Sequence, residues 1–266
     1  MIREILAAAP PFLLLAARAL ALIETAPLLS SDANPQVARV ALAGFAAYAA
    51  FPAAQAMDAR GLEIFSLSFA LLLIGEALVG IIMGFFITIL FSAFSTAGQF
   101  FSLPMGFSAS ETFDPLSQME NPLMGQYLNL VAMLVFLTID GFSGLFLGGF
   151  QRSVQSLNVA ALVLGREAAM GMLLSGLSRL FLDAMVLSLP ILGTLFLTSL
   201  STGLVSKAAP QINILTEGFP IAITVAFLLI FATLPFMVEA FSRVINSGFQ
   251  SIENLYLQIG QKVGGA

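Results

Sequence analysis

The stretch IFSLSFALLLIGEALVGIIMGFFITILFSAFSTAG, residues 64–98, carries one charged residue, Glu76, and no proline. A membrane-crossing helix needs about 20 apolar residues, and at about 1.5 Å per residue this run would extend roughly 50 Å or more as one helix, against a hydrocarbon core of about 30 Å. It must therefore kink, split into a hairpin, or leave the bilayer under a cover of protein. Working outward, apolar stretches also occupy 5–29, 36–57, 123–150, 168–206 and 212–246. The run 168–206 is overlong too, and Pro190 is its natural break; residues 64–98 offer Gly75, Gly80 and Gly84 instead. The expected fold is all-α: a multi-helix integral membrane protein with long kinked helical hairpins.

Composition agrees. Of 266 residues 59% are hydrophobic and 9% charged, with 10 Lys+Arg against 15 Asp+Glu and a net charge of −5. Soluble domains carry roughly 25% charge, and the mean hydropathy of +0.98 excludes both a water-exposed surface and disorder. His, Cys and Trp are absent. That removes imidazole acid–base chemistry, thiol nucleophiles, disulfides and the usual zinc sites. There is no phosphate-binding glycine loop and no metal-ligand cluster, so no catalytic, cofactor or metal residues are expected. The basic residues form no patch, which argues against nucleic acid as a partner.

Local signals place the joints. Asn34-Pro35 and Asn121-Pro122 each put an Asn cap before a proline at a first helical position, and Asp114-Pro115 has the same form. Polar linkers are read at 30–36, 58–63, 99–122, 151–167 and 207–211. No cleavable leader is evident, and the first apolar run reads as the first mature helix. The acidic 99–122 linker favours the outside face, whereas Arg152 and Arg166 favour a cytoplasmic 151–167.

Charges inside apolar runs cost roughly 2.5–3.5 kcal/mol each at a bilayer centre and imply partners or water. They are Arg18, Glu24, Glu76, Asp140, Arg179, Asp183, Glu217, Glu239 and Arg243. Arg179 and Asp183, like Glu239 and Arg243, stand four apart on one helix face and neutralise each other. Glu76 and Asp140 have no local partner. A proton relay is one reading; contact with another subunit, or a place outside the lipid, is the reading adopted, because no second carboxylate lies one turn away. Gly80–Gly84 and Gly144–Gly148 read GxxxG, a spacing that lets helix backbones approach closely. Phe100, Phe101, Met105, Phe107 and Phe113 make the 99–122 linker unusually apolar. It is either a deformable stopper in a channel or a loop folded onto neighbouring helices.

Three ordered blocks carry a family resemblance: RALALIETAPLLSSDANPQVARVALA (18–43), GQFFSLPMGFSASETFDP (98–115) and GLVSKAAPQINILTEGFP (203–220). Together they resemble the FliR family of flagellar export-gate proteins and its virulence type III secretion counterparts. Pro104 stands where that family often has Gln, and Ser206-Lys207 replaces a common Asn-Arg. The resemblance implies a non-enzymatic subunit of the export gate in the bacterial inner membrane, multi-pass, within the flagellar basal body. Its implied partners are FliP-like and FliQ-like subunits, FlhB-like and FlhA-like proteins, unfolded substrates in transit, and membrane lipid. It implies a FliP-like part at 1–166, a FliQ-like hairpin at 167–250 and a tail at 251–266, to which no weight attaches. Carried over by position, Met105, Gly106, Phe107 and Ser108 would lie in a pore plug that Phe113, Asp114 and Pro115 close. Lys207, Gln211, Asn213 and Glu217 would make subunit or FlhB-like contacts, and Arg18, Glu24, Glu76 and Asp140 are expected to make subunit contacts. The rival expectation is a small proton-coupled transporter that uses Glu76 or Asp140.

Overall fold

A computed structural model describes residues 2–31, 34–56, 66–106, 123–157, 159–209 and 214–264. Helix α1 runs Ile2–Thr25, α2 Gln36–Ala50 followed by a 3₁₀ turn Phe51–Ala56, and α3 Leu67–Met105. Then come α4 (Leu123–Thr138), α5 (Gly141–Ser156), α6 (Val159–Leu164), α7 (Arg166–Ala208) and α8 (Ile214–Gly264). Among the described residues there is no strand. Among the described residues, four helices are long and apolar enough to cross a membrane.

The overlong runs do not split. Helices α3, α7 and α8 hold 39, 43 and 51 residues, or about 58, 64 and 76 Å at 1.5 Å per residue. The expected break at Pro190 does not occur, and α7 continues through it. A proline removes one backbone hydrogen bond; in apolar surroundings, opening the helix would strip several more of their partners, so the helix stays continuous. Hydroxyls along these helices fold back on their own carbonyls. Thr194 Oγ1 donates to Pro190 O at 2.9 Å and Thr198 Oγ1 to Thr194 O at 2.9 Å, which satisfies polar groups without water.

Several junctions differ from expectation. Helix α2 has Pro35 at its N-cap and no side-chain cap. Asn34 instead donates from Nδ2 to Leu29 O at 3.2 Å, closing the turn after α1. The Asn121 and Asp114 caps lie outside the described residues. Residues 151–167 are largely helical, with Ser153, Val154 and Leu157 buried. Residues 251–264, read as part of a tail, are the end of α8, with Ile252, Leu255, Tyr256 and Ile259 buried.

The chain forms two compact units, each assembled from separated segments. One comprises Met1–Ile89, Asp140–Leu177 and Asn246–Ala266; the other comprises Leu90–Ile139 and Ser178–Ile245. In the first, α1 presents Leu15, Ala19, Leu22 and Ile23, all fully buried, a helical-spacing stripe that seats it on α3. There the Gly80–Gly84 reading is right. A Cβ at Gly80 would strike the Arg18 carbonyl, and one at Gly84 would strike Thr25 Oγ1 and, at 2.9 Å, Leu22 O. Thr88 Oγ1 donates to Thr25 O at 2.7 Å across the same contact. Gly144–Gly148 is no such seam: Gly148 faces open space. In the second unit Phe91, Phe94, Phe136 and Phe241 form the core, with ring centroids 4.4–6.1 Å apart in tilted and edge-on pairs.

Candidate functional site

Glu76 is not the unpartnered acid the sequence suggested. Arg18, one turn from Leu14, Leu15 and Leu22 on the buried face of α1, reaches it across the α1–α3 contact. Arg18 Nε donates to Glu76 Oε2 at 2.6 Å and Nη2 pairs with the same oxygen. The other guanidinium contacts are Nη1 to Ser153 Oγ at 3.1 Å and Nη2 to Leu157 O at 2.6 Å. Ser153 Oγ in turn donates to Phe150 O at 2.6 Å. Arg18 is 0% and Glu76 2% exposed. These two charges are therefore spent inside the chain, joining α1, α3 and the end of α5, and are not presented to a neighbour. Glycine at Gly80 makes this possible, because only a missing Cβ lets α3 come so near the Arg18 backbone.

Of the other described charged candidates, Asp183 is half-buried and the rest are exposed. Glu24 accepts from Arg39 Nη1 at 2.8 Å, and Arg39 also donates to Ser31 O at 2.8 Å, tying the start of α2 to the end of α1. Glu239 and Arg243 pair at 3.2 Å as expected, and Asp183 feels the charge of Arg179. Lys207 is exposed.

Asp140 is exposed and sits at φ 54°, ψ 36°, between α4 and α5. The left-handed conformation explains its position: Asp tolerates it better than most residues, and Asp-Gly is a turn-forming pair. Asp140→Gly is expected to be neutral or to stabilise by up to about 1 kcal/mol, and Asp140→Val to cost about 1–2 kcal/mol. Unfolding midpoints of the solubilised protein check this.

The linker expectation concerns residues only partly described. Met105 and Phe101 are fully buried at the end of α3. Gly106 turns the chain at φ +87°, its N–H donating to Leu103 O at 3.0 Å, and a Cβ there would strike the ring of Phe219. Two blocks distant in sequence, 98–115 and 203–220, thus meet in the second unit. Phe107, Ser108, Phe113, Asp114, Pro115, Gln211 and Asn213 lie outside the described residues, as does the side chain of Glu217. The α3–α4 crossing below it is tight: a Cβ at Gly98 would strike Met124 O and approach Gly125 Cα and N to 2.6 Å. Sequence reading missed this Gly98–Gly125 crossing because its glycines stand on different helices. It also missed Tyr256, which donates from its hydroxyl to Gly149 O at 2.8 Å.

Among the described residues no group of three potential metal ligands converges. The features present are long apolar helices, a sequestered ion pair, and a glycine turn against an aromatic ring. They define an all-helical, polytopic membrane protein. More closely, the chain belongs to the bacterial export proteins, family 1, whose family model matches residues 9–248. It is similar to the flagellar biosynthetic protein FliR of Escherichia coli (strain K12), 32% identical over 86% of this chain and 87% of that protein. FliR of Bacillus subtilis (strain 168) is 30% identical over 94% and 96%, and FliR of Borreliella burgdorferi 33% over 74% and 73%.

Proposed function

We propose that the chain is a non-enzymatic subunit of a flagellar-type, type III export gate in the bacterial inner membrane. In this reading it forms the protein-conducting passage with FliP-like and FliQ-like subunits beside FlhB-like and FlhA-like proteins, and the 99–122 segment corks that passage. Residues 1–166 would correspond to the FliP-like part and 167–250 to the FliQ-like part. Family membership supports the export role, and the FliR relatives support the flagellar system. The observation that carries the plug reading is the turn at Gly106, anchored by buried Met105 and packed on Phe219. It gives an apolar segment a firm hinge. Helices far longer than a bilayer, with many exposed Leu and Phe side chains, suit a chain sheathed by sister subunits.

Deleting 106–113 is the direct test. Assembly with the other gate subunits is expected to persist while the membrane becomes permeable to ions, read as conductance or as loss of ion gradients. A deletion strain as ion-tight as wild type would refute the plug. The transporter reading is weakened because Glu76, one of its two carriers, is locked to Arg18.

A further inference from the structure

Residues Gly144–Gln151 of α5 form a π-helix. Such wide turns make up well under 1% of residues and usually occur as single-turn bulges, often at functional positions. Eight residues in this form need something to hold them open. The structure supplies holds near its C-terminal end and room beside it.

The holds come from distant parts of the chain. Tyr256 of α8, 5% exposed, donates its hydroxyl to Gly149 O at 2.8 Å, and its oxygen lies 3.6 Å from Met83 Sδ. Ser153 Oγ caps Phe150 O at 2.6 Å while receiving Arg18 Nη1, and Arg18 Nη2 takes Leu157 O. Carbonyls at and just beyond the C-terminal end of the wide turns therefore have side-chain donors, and Arg18 is itself fixed by Glu76. Beside the segment lies an apolar groove of about 240 Å³, lined by Leu42, Phe45, Ala46 and Ala49 of α2 and by Phe146, Leu147, Phe150 and Gln151 of the π segment. Gly148 has nothing within 4 Å of a notional Cβ.

We infer that Gly144–Gln151 is a register switch, latched open by the Tyr256 hydroxyl and able to tighten into the groove beside α2. Tightening one wide turn to an α turn changes the register by one residue, a rotation of about 100° and a shift of about 1.5 Å. The Arg18–Glu76 pair anchors the downstream end, so the upstream end, Gly141 to Leu147, is the part that moves. Leu145, fully buried in the latched state, rotates toward the groove. The switch does not depend on whether the 99–122 segment corks a passage, so failure of either leaves the other to its own test.

The chain has no cysteine, so one introduced thiol reports cleanly. In membranes holding the assembled complex, Leu145→Cys is labelled with N-ethylmaleimide in the wild-type background and with Tyr256→Phe, which keeps the ring and removes the latch. Loss of one such hydrogen bond should raise the Leu145→Cys labelling rate by a factor of about 2 to 13. Leu15→Cys, buried in α1, should stay protected in both backgrounds. Ala46→Leu, which fills the groove, should return the Leu145→Cys rate to its wild-type value. An unchanged Leu145→Cys rate overturns the latch. A joint rise at Leu145 and Leu15 overturns it too, because Tyr256 would then hold the whole unit. Failure of Ala46→Leu to restore protection overturns the groove as the receiving space.

Discussion

Glu76→Leu is expected to destabilise the protein by about 3–5 kcal/mol, and Arg18→Met by a similar amount, because each leaves one charge buried without its counter-ion. The pair is 0% and 2% exposed, so solvent cannot relieve the survivor. The double change Arg18→Met with Glu76→Leu should recover most of the loss: two buried charges become two apolar side chains, and such exchanges are often neutral or favourable. Recovery stops short of complete because Leu157 O loses its donor, at about 1–3 kcal/mol for an unsatisfied buried acceptor, whereas Ser153 keeps its bond to Phe150 O. Unfolding of the solubilised protein and its steady-state level in membranes measure all three variants. Additive losses in the double variant would mean that the two side chains do not act on each other. Full retention of stability in either single variant would mean that water reaches the pair.

The same pair shows what the sequence conceals. Apolar length is a local property, so the long helices are legible, and Gly80–Gly84 correctly marks a close approach. Arg18 and Glu76 stand 58 residues apart; no search for partners at three or four residues along a helix can join them. Asp140 looked anomalous as a charge because its conformation was not considered, although Asp140-Gly141 is legible as a turn. Pro190 misled for a different reason. Helix-breaking propensity is weighed in water, and an apolar setting raises the cost of the alternative. Tyr256 belongs to a stretch whose helical burial depends on Gly149 and Met83, far away in the chain. Of the plug expectation, only the root is described: Met105 and Gly106 lie as a hinge would need, and the Gly106–Phe219 contact links two of the three resemblance blocks.

The α3–α4 crossing at Gly98 is where a one-residue change should have its clearest effect on export. Gly98→Leu places a side chain where Met124 O and the backbone of Gly125 already sit, and a Cβ at Gly125 would itself lie 2.9 Å from Ser95 O. These obstacles are backbone atoms of α3 and α4, fixed by their own helical hydrogen bonds, so no rotamer change can admit the new atoms and the helices must separate. Ala at this position should cost about 1–3 kcal/mol from overpacking, offset by up to about 1 kcal/mol of helix propensity; Leu should reach or exceed about 4 kcal/mol, the range reserved for severe core defects. Gly193→Ala in α7, with nothing within 4 Å of the added atom, is the control and should gain up to about 1 kcal/mol. The crossing matters beyond stability, because α3 and α4 are the helices that residues 107–122 connect. Gly98 against Gly125 holds α3 close to the start of α4. Spreading them should reduce the flagellar protein reaching the medium more steeply than it reduces the amount of this subunit in the membrane. Equal reductions would assign Gly98 to folding alone, and wild-type stability with Gly98→Leu would show that the two helices have room the close contact denies.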